Sequence, residues 1–358
     1  MGAPASGVRL QRVQAAERWQ DGRFVDLLPR QDPRFLPAMN AWFSDSSPHS
    51  VPRRPPAYVS RAAADFDEPP ATGLRITWLG HSTLLVEIDG LRILLDPVWG
   101  ERASPFSWLG PQRFLPPPLP FDELPDIDIV VISHDHYDHL DFPTIRRLAA
   151  EDVPFLVPLG VGSHLEHWGV ADERITELEW WQEHTVGDLR FVATPARHFS
   201  GRSMFMRDRD CTLWSGWALL GPRHRVYYTG DTAMFPGFTD IGKRLGPFDA
   251  AMVESGAYNA LWADVHLGPE QAVDAHVMAR GGVMIPVHWG LFDLATHGWT
   301  EPVERVLAAA RNRGVTVVTP RPGESIEPGA LKPSTRWWPA LAWETAEQAP
   351  VVSSHLDR

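Results

Sequence analysis

The hydrophobic pattern of this chain becomes regular at about residue 74. Apolar and polar residues alternate over Leu74–Trp78 and again over Leu84–Ile88, and Asp89-Gly90 then leads into a third such stretch, Leu91–Leu95. Alternation with period two is typical of half-buried strands, and an Asp-Gly pair is a common hairpin turn. The pattern therefore predicts that a folded domain opens here with a β-meander.

Three later segments carry the signals of a helix start. Pro143 and Pro269 each stand at a first-turn position ahead of apolar residues, and Thr300 can cap a helix that ends near Gly314. Proline is compatible with the first helical turn, and glycine commonly follows the last one. We expect three helices, each between strands.

The flanking segments lack such periodicity. Residues 1–71 mix polar, Pro-rich and short apolar pieces, and residues 328–358 lose the pattern again. We predict an N-terminal arm over 1–71, one folded domain over 72–327 and a C-terminal tail over 328–358 that packs through Trp337 and Trp338.

Composition narrows the functional class. The formal net charge of -12 argues against nucleic-acid binding, which needs a basic face. Cys211 is the one cysteine, which fits a reducing compartment. No apolar run approaches the roughly 20 residues of a membrane span, and no signal-peptide core is present. We expect a cytoplasmic protein; peripheral contact with a membrane and homo-oligomerisation both stay open.

The densest chemistry follows one apolar strand. The run Val130–Ile132 leads directly into four metal-binding side chains within six residues, His134, His136, Asp138 and His139. Imidazole and carboxylate groups hold zinc, manganese or iron, and several ligands on one short loop can serve two ions. A continuous helix would scatter these side chains, so the pattern predicts a two-metal loop.

Three more candidates also follow apolar strands. They are His198 after Phe191–Thr194, Asp231 after Val226–Tyr228 and His288 after Val283–Val287. Ordinary core or surface histidines and a turn aspartate are the alternative interpretation. However, loops at one edge of a layered α/β fold converge, so we expect seven ligands around one site.

These residues resemble the metallo-β-lactamase superfamily and, within it, the phospholipase D branch that hydrolyses N-acyl-phosphatidylethanolamines. Further matching segments are Thr77–Thr83, Ile241–Asp249 and His288–Gly290. The resemblance implies an α/β fold of the αββα sandwich type with two zinc ions, for which manganese or iron is the alternative. One ion would be held by His134, His136 and His198, the other by Asp138, His139 and His288, with Asp231 bridging.

The resemblance also implies roles around the metals. We expect Asp138, Asp231 and His266 to be catalytic, since His266 matches a histidine that this branch places beside the phosphoryl group. A satisfied turn histidine is the alternative for His266. We expect His81 and Asp96 to hold the metal loops without touching metal.

The predicted activity is hydrolysis of a phosphodiester, N-acyl-phosphatidylethanolamine or a related phospholipid, by a hydroxide that the metals activate. A lactonase or amidohydrolase, a cyclic-nucleotide phosphodiesterase and a metal-stabilised binding protein without turnover are the alternatives. Ala233 and Glu254-Ser255 depart from the branch, so we expect differences in the substrate pocket. A lipid substrate predicts an apolar rim, with candidates Phe35, Leu36, Met39, Trp42, Phe43, Phe106, Trp108, Leu109, Phe114 and Leu115.

Overall fold

The computed structural model describes residues 1–31, 35–333 and 335–356. Its strands are β1 (Trp19–Gln20), β2 (Arg23–Phe24), β3 (Leu74–Gly80), β4 (Thr83–Ile88), β5 (Leu91–Leu95), β6 (Ile129–Val131), β7 (Phe155–Pro158), β8 (Ile175–Leu178), β9 (Glu183–Val186), β10 (Leu189–Thr194), β11 (Gly216–Leu220), β12 (Arg225–Tyr228), β13 (Phe248–Glu254), β14 (Gly281–Val287), β15 (Thr316–Val317) and β16 (Ser325–Ile326). Its α-helices are α1 (Gly7–Gln14), α2 (Phe35–Ser44), α3 (Phe142–Leu148), α4 (Gly162–His167), α5 (Gly237–Arg244), α6 (Pro269–Met278) and α7 (Glu301–Arg313).

Two seven-stranded sheets face each other across the main core. One has the order β16-β3-β4-β5-β6-β7-β8 and the other the order β15-β14-β13-β12-β11-β10-β9. Trp78 and Val86 of the first sheet and Trp217 and Met252 of the second are buried in the same cluster. Helices α3 and α4 cover the outer face of the first sheet, while α5, α6 and α7 cover that of the second. The predicted αββα sandwich is confirmed.

The strongest sequence patterns correspond to observed elements. Strands β3, β4 and β5 form an antiparallel meander, with the turn at Asp89-Gly90 in the left-handed region of backbone space. The three predicted helices are α3, α6 and α7, and Gly314 ends the last with a φ of 67°. Glycine adopts this conformation without a steric penalty, which explains the sharp stop.

The arm contains more regular structure than its sequence indicates. Helix α1 and the β1–β2 hairpin pack onto the main domain through Val13 and Phe24, which are buried in one cluster with Leu159 and Trp214. Helix α1 has only eight residues, too few for a clear apolar period. Of the arm's rim candidates, the side chains of Phe35, Leu36, Met39 and Phe43 lie outside the described residues.

The tail packs through its tryptophans. Trp337 stacks on Trp289 with ring centroids 5.3 Å apart, and Trp338 is buried in the main cluster. Within the described ranges, the chain forms no helix of the length and apolar character that a membrane crossing requires.

The arrangement of parallel strands fixes the position of the site. Strands β5, β6 and β7 run parallel in one sheet, as do β12, β13 and β14 in the other. Their carboxyl ends therefore open onto a common edge, where the loops after β6, β12 and β14 carry the predicted ligands.

Candidate metal centre

The first donor set lies after β6 and β10 and consists of three histidines. Nδ1 of His136 lies 2.9 Å from Nε2 of His134 and 3.2 Å from Nε2 of His198. Nδ1 of His134 lies 2.9 Å from Oγ of Ser133, and Nδ1 of His198 donates to the carbonyl of Val265 at 2.8 Å. With their protons on Nδ1, His134 and His198 direct their Nε2 lone pairs toward His136.

The second donor set lies beside the first. Oδ2 of Asp138 is 3.4 Å from Nε2 of His139 and 3.3 Å from Nε2 of His288. Buried Asp96 accepts a hydrogen bond from Nδ1 of His139 at 2.7 Å, which leaves Nε2 as the donor atom. Nε2 of His81 contacts Oδ2 of Asp138 at 2.9 Å. Asp96 thus lies behind a candidate ligand, whereas His81 lies among the donors themselves.

Asp231 joins the two sets through a single oxygen. Its Oδ2 lies 3.7 Å from Nε2 of both His134 and His198. The same oxygen is 3.2 Å from Nε2 of His139 and 3.0 Å from Nε2 of His288. One carboxylate in contact with both sets is the arrangement that a bridging ligand requires.

The chemistry of these residues fits a pair of metal ions. The ligand atoms of each set lie within 4.8 Å of one another. Tetrahedral zinc with nitrogen ligands places neighbouring donor atoms about 3.3 Å apart. Nε2 of His139 and Oδ1 of Asp231 are buried and have no hydrogen-bond partner among the described residues. Buried polar atoms without partners are costly, and bound cations would satisfy them.

The electrostatics of the two sets differ. Burial lowers the pKa of His134 and of His198 well below the usual value, so both rings are neutral and able to act as ligands. Burial also acts to lower the pKa of His139 and of His288, but the carboxylates of Asp231 and Asp138 together outweigh it and raise both pKa values. These two rings therefore favour the protonated form, and coordination of a cation by Nε2 of either ring would require the loss of that proton.

His266 lies beside the donor sets and is held by a carboxylate. Its Nδ1 is 3.0 Å from Oε2 of Glu254, and its ring stacks on that of His288 at 5.2 Å. Glu254 is fully buried, and its Oε1 accepts a hydrogen bond from the backbone of Leu267 at 2.7 Å. Burial, together with the nearby Asp231 carboxylate, raises the pKa of Glu254 well above its usual range.

The structure brings all seven predicted ligands and His266 into one site. The sequence singled out Glu254 only as a departure from the branch, whereas the structure places its carboxylate beside Asp231, His266 and His288. It is the last residue of β13 and directly follows the apolar run Ala250–Val253, just as the predicted ligands follow apolar strands. A charged residue at the end of an apolar run is the sequence feature that could have identified Glu254 as a site residue.

Two loops with exposed apolar side chains adjoin the site. The loop before Phe114 exposes Trp108 and Leu109. The backbone N–H of Phe114 donates a hydrogen bond to the carbonyl of Leu291, which lies three residues after His288 in sequence. The loop after His198 exposes the side chains of Met204, Phe205 and Met206. The predicted rim residue Leu115 is instead buried, because it packs with Val98, Leu291 and Phe292.

The chain is similar to known proteins along most of its length. A family model described as the beta-lactamase superfamily domain matches residues 91–289. An uncharacterized protein of Mycobacterium tuberculosis is 46% identical over 349 residues, which cover 94% of this chain and 91% of the relative. The N-acyl-phosphatidylethanolamine-hydrolyzing phospholipase D 1 of Caenorhabditis elegans is 38% identical over 237 residues, covering 63% of this chain and 66% of the relative. A solved metallo hydrolase of Ignicoccus hospitalis shares the fold with a TM-score of 0.53 at 22% identity, over 71% of this chain and 97% of the other.

Proposed function

The chain belongs to the β-lactamase superfamily and is a metal-dependent hydrolase, and from that membership we propose that it cleaves phosphodiesters at a two-metal centre. The observation that carries the proposal is the position of Asp231, whose Oδ2 contacts the histidines of both donor sets. One shared carboxylate favours two ions held close together over a single isolated ion.

Each group of residues has its own task in this proposal. His134, His136 and His198 hold one ion, Asp138, His139 and His288 hold the other, and Asp231 keeps the two at a fixed separation. Two bound zinc ions would provide hydroxide near neutral pH and neutralise charge on the phosphate oxygens. His266, fixed by Glu254, contacts a phosphoryl oxygen from the side of His288.

The substrate that we propose is an N-acyl-phosphatidylethanolamine or a related phospholipid. The name of the nematode relative supports this class, and so do the apolar loops beside the site. Trp108 and Phe205 are 73% and 84% exposed, which costs hydrophobic free energy in water unless the side chains meet an apolar partner. We propose that these loops touch a membrane surface while the headgroup reaches the metals.

A substrate panel tests the activity. Purified protein with zinc or manganese is given N-acyl-phosphatidylethanolamine in detergent, a soluble synthetic diester, a cyclic nucleotide and a set of lactones. We expect cleavage of the lipid to be fastest and to stop after chelation. Cleavage of lactones alone would replace the phosphodiesterase proposal with the lactonase one. Stoichiometric metal without turnover on any substrate would favour the binding-protein interpretation.

A further inference from the structure

The arm and the tail meet at one buried ion pair next to the metal centre. Arg197 is fully buried, and its Nη2 lies 3.0 Å from Oδ1 of Asp264. The backbone and hydroxyl of Ser354, in the tail, donate to the same carboxylate at 2.7 and 2.6 Å. The backbone of Gln31, in the arm, donates to it at 2.9 Å. Asp264 thus holds two segments that are more than 300 residues apart in sequence.

Arg197 makes the matching contacts from the other side of the pair. Its guanidinium donates to the carbonyl of Pro29 in the arm at 2.7 Å and to that of Ser354 in the tail at 3.1 Å. The hydroxyl of Ser353 donates to the carbonyl of Ala263 at 2.6 Å. We call this arrangement the clasp, formed by Arg197, Asp264, Pro29–Gln31 and Ser353–Ser354.

The clasp lies within two residues of two groups of the site. Arg197 directly precedes His198, and Asp264 precedes His266 by two residues. Between them, the carbonyl of Val265 accepts the hydrogen bond that orients His198. The far end of the same segment is held at Leu267 by Glu254. The position of His266 is therefore fixed at one end by Glu254 and at the other by the clasp.

The polar contacts of the clasp indicate that it orients the segment around Asp264 and is not mainly a source of stability. A buried ion pair is weak evidence for stability, because desolvation offsets much of the attraction and apolar packing would serve as well. Directional hydrogen bonds from two segments to one carboxylate do, however, define where that carboxylate lies.

We propose that Ser354 and Asp264 are positioning residues for His266, so that the tail contributes to the geometry of the active site. The inference rests on the proposed function of His266 beside the phosphoryl group. A displacement of a substrate-binding group by about 1 Å can lower the rate on the order of a hundredfold. The clasp therefore affects turnover without contributing a metal ligand.

Removal of residues 351–358 and the single change Ser354→Ala test the proposal in the metal-loaded protein. We expect kcat for the best diester substrate to fall about tenfold or more after truncation and less in Ser354→Ala, with bound metal per chain unchanged. Val352→Ala is the matched control, because this neighbouring side chain is 73% exposed. Unchanged kcat in both clasp variants would overturn the proposal.

Two further measurements separate positioning from general support of the fold. Amide hydrogen exchange over residues 264–267 should become faster in the truncated protein, while exchange in β13 and β14 stays slow. A synthetic peptide of residues 345–358 should bind the truncated protein and restore kcat, and the same peptide with Ser354→Ala should restore less. Equal acceleration of exchange across both sheets would indicate loss of folding and would count against the proposal.

A double-mutant cycle tests whether removal of the tail lowers kcat through His266. If the tail acts through His266, truncation should cause no further loss of kcat in a His266→Ala background. Additive losses would contradict a role through His266. Hydrogen exchange and peptide binding need no substrate, so they can uphold the clasp even if the panel shows that the protein does not cleave phosphodiesters.

Discussion

Oδ2 of Asp231 contacts four imidazole nitrogens at 3.0 to 3.7 Å, more than any other carboxylate oxygen of the site. Asp231→Asn keeps the size of the side chain but removes its charge, so the bridge weakens. We expect the variant to lose about half of its bound metal and at least about 100-fold in turnover.

Elemental analysis and hydrolysis assays measure both effects. Asp240→Asn, which changes an exposed carboxylate on α5, is the control for charge alone. Full metal content and normal turnover in Asp231→Asn would exclude a bridging role.

Glu254 permits a second prediction at the same scale. Glu254→Ala frees the ring of His266, and we expect turnover to fall about 10- to 100-fold with metal content near normal. Glu254→Gln can still accept from the backbone of Leu267 and donate to Nδ1 of His266, so it should retain more activity. His266→Ala should match Glu254→Ala, as judged by kcat and metal analysis. Loss of a full metal equivalent in His266→Ala would instead identify this residue as a ligand.

At the scale of elements, the sequence predicts the strands and helices that have a clear local pattern, but it does not predict features that depend on tertiary contacts. The meander of β3 to β5 and helices α3, α6 and α7 follow from periodicity and from Asp89-Gly90, Pro143, Pro269 and Gly314. The predicted ligands follow from their places after apolar strands. These are local signals, and the superfamily resemblance that they carry is confirmed by the comparisons.

Other features could not be found in this way because they depend on distant partners. Asp264 becomes informative only when Ser354 and Gln31 are known to reach it. Leu115 is apolar and lies in the Pro-rich loop, so the sequence predicts a rim residue, but in the structure it is buried against Leu291. Local sequence does not encode which loop covers which side chain.

The loop after His198 gives a prediction at the scale of one element. Phe205 holds a left-handed backbone conformation with a φ of 61° and is 84% exposed, and the exposed Arg207 follows two residues later in the same loop. Phe205→Ser should reduce binding to anionic vesicles and lipid hydrolysis about tenfold or more, since an inserted aromatic side chain contributes about 1.5 to 3 kcal/mol and 1.4 kcal/mol corresponds to about a factor of ten. Hydrolysis of a soluble diester should stay the same.

Vesicle cosedimentation measures membrane binding, and hydrolysis assays with the lipid and with the soluble diester measure the two activities. Val8→Ser serves as the control, because Val8 is 73% exposed on α1. Equal losses on both substrates would mean that Phe205 supports only the local fold.

For the whole molecule, metal removal should lower stability as well as activity. The donor sets are contributed by both sheets, so bound ions would join the two sheets and stabilise the folded state by an amount that grows with their affinity. We expect chelation to lower Tm by several degrees and added zinc or manganese to restore it. Calorimetry with and without chelator measures the shift. An unchanged Tm in protein shown to be metal-free would contradict this role of the ions.

The first sheet is completed by its last strand in sequence, since β16 pairs with β3 and the hydroxyls of Thr77 and Ser325, 248 positions apart in sequence, lie in contact. Folding rates fall as contacts become more distant in sequence, because a long loop must close before its contacts form. Local strands and helices can form well before this pairing. During refolding from denaturant we therefore expect far-ultraviolet circular dichroism to recover in an early phase and hydrolytic activity in a later one, so that the newly folded chain passes through a period in which it has its secondary structure but no catalyst.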